Sequence, residues 1–363
     1  MSSGQGQSRP RLAGLDGLRG LAAVWIVLYH FGGRLALLMP RNSPLTRVFV
    51  AFAARGHLGV DIFFVLSGFA LAYRYDGAEA IVDRRSYGRF FRARVARTIP
   101  AYEVALGVLL AGGIAYGAGR MGQHLTAPLV VANVALVQQW LGLASINGPA
   151  WALSTLWAMY LLFPFLAVGL RRVRSPVAAV ACAVAAYALL LTVLSMRDTD
   201  SRILRTVCEF VVGGLLLAVF RATRSRRFWG PVAWTCLAVV VAAACLPAVI
   251  GSAGGEVDLW ARPVLALLVL ALACGEGGLA RLLSSKPALA TCAVSLSLFV
   301  SQWIPFRALD HLLPAADYAG RSAVVRLAVM IAYVLGIAAT AVVLYVVVER
   351  PAGRWLRGAR PAA

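Results

Sequence analysis

Lysine is all but missing from this 363-residue chain, Lys286 standing alone among 35 basic residues that are otherwise arginine, and acidic residues number only 15. Charged residues make up 14% of the chain and hydrophobic ones 61%, well above the roughly 45–50% apolar content of a soluble domain. Strand-like alternation is absent, which argues against a transmembrane barrel. No long linker, internal repeat or hydrophilic block offers a soluble domain. The six cysteines, Cys182, Cys208, Cys236, Cys245, Cys274 and Cys292, lie within or at the edges of apolar runs. With no paired loop spacing and no C-x-x-C, they form neither a disulfide framework nor a metal site and read as small buried hydrophobes. What these absences leave is an all-α, polytopic transmembrane helical bundle.

A net charge of +20 would suggest nucleic acid as the partner of a soluble protein. In a membrane protein, basic residues collect in cytoplasmic loops and face anionic lipid, so the lipid bilayer is the expected partner and nucleic acid is not. The first segment, "MSSGQGQSRPR", is short, polar and basic. The apolar run behind it is too long for a signal peptide and lacks a clear cleavage site, so it is expected to stay as the first span.

Apolar runs fall at about residues 19–39, 57–73, 99–119, 127–144, 150–169, 176–196, 203–220, 229–250, 260–274, 289–306 and 323–348. The fourth is the weak one, broken by Asn133, Gln138 and Gln139 and all but continuous with the next. If all eleven cross and the N-terminus is inside, inner loops hold 14 basic residues and outer loops 18, leaving aside Arg19, Arg205 and Arg326. If residues 120–149 do not cross, the counts become 22 inside and 10 outside, which agrees with the positive-inside tendency. About ten spans with both termini cytoplasmic are therefore expected, and 120–149 becomes an outer cap or re-entrant loop shielded by protein. The chain divides into an N-terminal tail (1–14), one membrane domain (15–357) and a C-terminal tail (358–363).

Polar residues inside the spans are the candidate site. In "RGLAAVWIVLYH", Arg19 and His30 are eleven residues apart, which on a helix puts them about 20° apart in azimuth and roughly 16 Å apart along the axis. Such residues face the bundle interior and mark a pathway or site, although Arg19 alone could be a boundary anchor. In the second run Asp61 lies one turn from His57. It is expected either to hold the His30 ring in one tautomer, as a base-orienting group does, or to pair with a structural arginine. Ser67 and Gly68 suggest close helix packing. Arg205 and Glu209 have the i,i+4 spacing of an ion pair.

Four segments in order, "RGLAAVWIVLYH", "GVDIFFVLSGF", "FRARVARTIPAY" and "VVVERPAGRWL", resemble acyltransferase family 3 of membrane-bound O-acyltransferases, whose members acylate O-antigen, peptidoglycan, nodulation factors and macrolides. The resemblance runs from Leu15 to Trp355. It implies a ten-helix core in a bacterial cytoplasmic membrane, acyl-CoA as donor substrate with acetyl expected, no permanently bound cofactor, and a hydroxyl-bearing carbohydrate or glycosylated acceptor. His30 would be the catalytic base or transient acyl carrier, with Arg19 nearer the donor and Asp61 in support. Arg92, Arg94 and Arg97, with Tyr102, would bind the donor, while Trp151, Ser154, Arg205 and Glu209 would line or support the substrate site. Imidazole chemistry and fixed positive charge suit acyl transfer whatever the name. Two positions depart from the family pattern: Leu156 stands where members often carry glutamate, and Gln302 where histidine is common. A catalytically silent binding partner and a transporter of a small polar substrate are the competing readings.

Overall fold

The computed structural model describes residues 10–41, 43–76, 83–116, 125–195, 201–250, 257–275 and 277–356. The expected C-terminal tail and most of the N-terminal one lie outside the described residues. The chain runs through α1 (Ala13–Leu38), then α2 (Pro44–Ala54), which turns directly into α3 (Leu58–Arg74), then α4 (Arg84–Tyr116), α5 (Ala127–Val134), α6 (Ala150–Arg172), α7 (Pro176–Ser195) and α8 (Arg202–Thr223). It continues with α9 (Trp229–Ile250), α10 (Val257–Cys274), α11 (Gly278–Leu283), α12 (Lys286–Ser301), α13 (Trp303–Leu312), α14 (Ala315–Tyr318), α15 (Ala323–Leu344) and α16 (Arg350–Leu356). A π-type turn, Tyr345–Glu349, joins the last two long segments. No strand occurs among the described residues.

Among the described residues, eight helical segments are long and apolar enough to cross a bilayer, and α12 with α13, bent by 61°, adds a ninth. Trp260–Cys274 is apolar but shorter than these. Helix α5 has 8 residues, about 12 Å of helix against a hydrocarbon layer of about 30 Å, so it cannot cross. The irregular chain behind it is sealed from within. Asn133, fully buried, donates through Nδ2 to the carbonyls of Leu129 (2.9 Å) and Ala144 (3.0 Å) and accepts the Ile146 N–H at 3.0 Å. Irregular backbone at membrane depth requires this kind of internal partnering.

The outer faces of α7 and α15 expose Val177, Leu189, Val324 and Leu335, an apolar exterior that suits lipid and not water. Helices α3 and α8 approach at backbone contact. A Cβ on Gly68 would stand 1.9 Å from the Phe210 carbonyl oxygen, and one on Gly213 would stand 2.1 Å from that of Val65. Small residues make such contact possible. It matters for the site because α3 carries Asp61 and α8 carries Arg205 and Glu209.

Gly213→Ala is accordingly expected to cost about 1–3 kcal/mol, as overpacking does, and to lower the thermal unfolding midpoint in detergent. Gly107→Ala, where an added Cβ meets nothing within 4 Å, should not lower it.

Candidate active site

Helices α1, α3, α4, α6 and α12 enclose a cavity of about 1120 Å³. Its two ends differ in chemistry because the helices alternate in direction. The start of α1, the end of α3 and the first half of α4 bring Arg11, Arg19, Arg74, Arg94 and Arg97 to one end. Arg11 is paired with Asp16. Arg19, Arg74, Arg94 and Arg97 have no ion pair with any described residue. The Arg94 guanidinium lies instead over the rings of Phe90 and Tyr160, 5.8 Å from each. Asp16 and Asp76 line the same end, each already paired, with Arg11 and Arg221, and the remaining guanidinium forks suit a bound phosphate. The start of α3, the start of α6 and the end of α12 make the other end, which is carbon: Val60, Phe63, Phe64, Leu153, Leu156 and Phe299.

His30 lies beyond that apolar end. Phe63 and Phe299 meet edge to face with centroids 5.9 Å apart. Past them, the α12–α13 bend places Gln302 so that its Oε1 is 2.8 Å from His30 Nδ1, while its Nε2 donates to the Phe299 carbonyl at 2.8 Å. Gln302 is fully buried. The edges of Tyr29 and Trp303 flank the imidazole at 5.1 and 5.9 Å. Arg19 and His30 thus both face α12, one at the basic end of the cavity and the other just past the carbon-lined end, as their spacing predicts.

Asp61 is not the partner of His30. Of the two expectations for it, the pairing with arginine is the one found. Its carboxylate accepts from Arg205 Nε at 2.6 Å and Nη2 at 2.5 Å, and from Arg262 Nε at 3.3 Å. Arg205 also donates to the His57 carbonyl at 3.2 Å. The expected Arg205–Glu209 pair is loose at 4.0 Å, and Arg262 comes nearer to Glu209, at 3.6 Å. Two carboxylates and two guanidinia therefore form one buried knot joining α3, α8 and α10. A carboxylate already shared between two guanidinia has no need of an imidazole. Arg262 escaped the sequence reading because it sits at the start of a run, where arginine looks like a loop anchor. Its one signal was that the run beginning at Trp260 is short.

Two donor-site expectations also change. Arg94 and Arg97 line the cavity, but Arg92 is exposed on the outer side of α4. Tyr102 is fully buried past Pro100, where its hydroxyl donates to the Asn133 carbonyl at 2.8 Å; it anchors the α5 segment and does not face the cavity. Trp151 lies beneath the guanidinia of Arg202 and Arg205, at 5.6 and 5.9 Å. Ser154, fully buried, accepts the Gln139 N–H at 3.3 Å. Both belong to the wall between the ionic knot and the 125–149 segment. Leu156 is part of the cavity lining.

Breaking one member of a buried ionic group leaves the others uncompensated, at a cost of about 3–5 kcal/mol. Asp61→Asn is therefore expected to lower the unfolding midpoint in detergent strongly, whereas Arg92→Ala should leave it in place.

An acyltransferase domain family model matches residues 12–349 of the chain. Over 161 residues the chain is 31% identical to "Acyltransferase MdmB" of Streptomyces mycarofaciens, a match covering 42% of this chain and 38% of that protein. Over 109 residues it is 39% identical to "Protein 2 in picA locus" of Rhizobium radiobacter, covering 29% of this chain and 48% of that protein. The chain thus spans less than half the length of either of these curated relatives. No solved structure matches. The family match is continuous from the residue before α1 to the end of the π-type turn, and so is not the echo of one motif. The chain belongs to the acyltransferase domain family, as its R-x10-H pair and its terminal "VVVERP" segment suggest.

Proposed function

We propose that the protein is an integral membrane O-acyltransferase that moves an acyl group from cytoplasmic acyl-CoA to a hydroxyl of a carbohydrate, an envelope glycan or a glycosylated metabolite. One observation carries the reading: a cavity joins four arginines that form no ion pair with a described residue to a carbon-lined end, and the carbonyl of its last ring residue, Phe299, accepts from the side chain that bonds His30. The phosphates of coenzyme A suit the arginine end, and its uncharged arm and acyl group suit the carbon end. The Phe63–Phe299 pair must part for the thioester to meet the imidazole.

In the proposed step His30 takes the proton of the acceptor hydroxyl as its oxygen attacks the thioester carbonyl. The tetrahedral intermediate collapses, the C–S bond breaks, and the coenzyme A thiolate receives the proton from the imidazolium. Imidazole suits both transfers near neutral pH. The arginines hold the donor and take no part in the proton transfer. The family assignment and the printed name of the Streptomyces relative support acyl transfer as the reaction class. The excess of basic residues on the loops of the N-terminal side supports a cytoplasmic donor.

With protein in nanodiscs, Arg94→Ala and Arg97→Ala are each expected to weaken coenzyme A binding about tenfold or more, the loss of a charge-assisted contact of about 1.5–3 kcal/mol, measured by calorimetry. With radiolabelled acetyl-CoA and a panel of sugar, glycolipid and macrolide acceptors, His30→Ala should bind coenzyme A normally and transfer no label. Full turnover by the alanine variant would sink the mechanism.

A further inference from the structure

The reading just proposed needs His30 to present a free lone pair, and an unrestrained imidazole divides its proton between two nitrogens. From the geometry around the ring we infer that Gln302 is the positioning residue that holds His30 in the Nδ1–H tautomer and so leaves Nε2 as the base.

The amide of Gln302 decides the matter by elimination. A backbone carbonyl can only accept, so the group 2.8 Å from the Phe299 oxygen must be the amide NH2. The reversed amide would set two acceptor oxygens against each other in a buried site. The atom facing His30 is then Oε1, itself an acceptor without a proton, and the nitrogen 2.8 Å from it must carry the hydrogen. That nitrogen is Nδ1. The Ile26 carbonyl one turn back also bonds the ring, and Nε2 has no hydrogen bond to a described side chain.

Gln302 can play this part because it stands at the break between α12 and α13, bent by 61°. It is fully buried and tied to the turn before it, so the amide cannot swing away at little cost. A second side chain braces the same turn: Asn147 donates to the Val300 carbonyl at 2.8 Å. The arrangement is the one by which metal-site and catalytic histidines are held through their second nitrogen, with a neutral amide in place of a carboxylate. No described carboxylate bonds the ring. Among the described residues, the titratable and charged groups around it include Tyr29, His57 beyond Tyr29 at 5.4 Å, Arg307 over the Trp303 ring at 5.4 Å, and the Arg34–Asp310 pair one turn further along α1 at 3.2 Å.

A neutral orienter fixes the tautomer without stabilising the imidazolium as a carboxylate would.

The test reads the ring directly and needs no acceptor. The chain has four histidines, so protein labelled with ¹⁵N at histidine gives a small set of imidazole signals, and His30→Ala identifies those of residue 30. The expected spectrum near neutral pH shows His30 as a single neutral tautomer with Nδ1 protonated. Gln302→Leu should turn it into a mixture. Gln302→Glu, whose carboxyl must carry a proton to donate to the Phe299 carbonyl, should keep the tautomer. Unmoved signals from His57 and His311 report an intact fold, and if Gln302→Leu does not fold, the wild-type spectrum and Gln302→Glu still decide. A wild-type ring protonated at Nε2, a Gln302→Leu ring that keeps a single tautomer, or a Gln302→Glu ring that loses it, overturns the inference. Loss of transfer in His30→Ala together with any of those results would leave the proposed function standing and remove Gln302 alone.

Discussion

A backbone carbonyl in lipid must find its donor within the protein, and the two at the end of α12 set the geometry of the whole site. Where the helix stops at Ser301, the carbonyls of Phe299 and Val300 are met by the side chains of Gln302 and Asn147. The first contact turns the Gln302 amide toward α1. The second ties the break to the 125–149 segment, which is why an apparently weak and polar stretch is folded so tightly through Asn133. Without the break, α12 would be a plain span and His30 would face a helix side in place of an amide.

The ionic knot is a separate device with a different duty. Asp61, Arg205, Arg262 and Glu209 share one buried cluster, so removing any one leaves the others uncompensated. They bind α3, α8 and α10 on the side of the bundle away from α12. This holds rigid the helix whose Val60, Phe63 and Phe64 form the carbon-lined end of the cavity. Contact between the α3 and α8 backbones at Gly68 and Gly213 brings the charges within reach of one another. Packing and electrostatics are thus coupled: neither would be tolerable alone.

The spans, the non-crossing segment and the shared face of Arg19 and His30 were legible in the sequence because each rests on a local quantity: run length, charge asymmetry, or the 100° turn of a helix. The partner of Asp61 was not. Arg205 and Arg262 lie 144 and 201 residues away, and a carboxylate one helix from a histidine looks the same in sequence whether it faces that histidine or two arginines. Tyr102 and Arg92 went astray through rotation about α4: Arg94 and Arg97 turn inward, and residues two or five positions away turn elsewhere. Gln302 looked like the loss of a functional histidine. Only the bend at α12, which depends on Asn147 and on the folding of a distant segment, shows that an amide there can still reach the His30 ring.

The separation of charge from chemistry explains why one cavity has two such different ends. On the proposed reading, moving a phosphate toward mid-membrane would be expensive, and four arginines without an ion pair among the described residues would hold it at the entrance. Only the neutral thioester has to pass the rings of Phe63 and Phe299. A carboxylate among those rings would have to be paired or protonated before an apolar chain could lie against it, and Leu156 spares the site that cost. On the same reading the group that orients the base is neutral and the passage to it is carbon. Charges gather at the entrance, in the knot and in the Arg34–Asp310 pair beyond His30, and the carbon-lined end holds none of them.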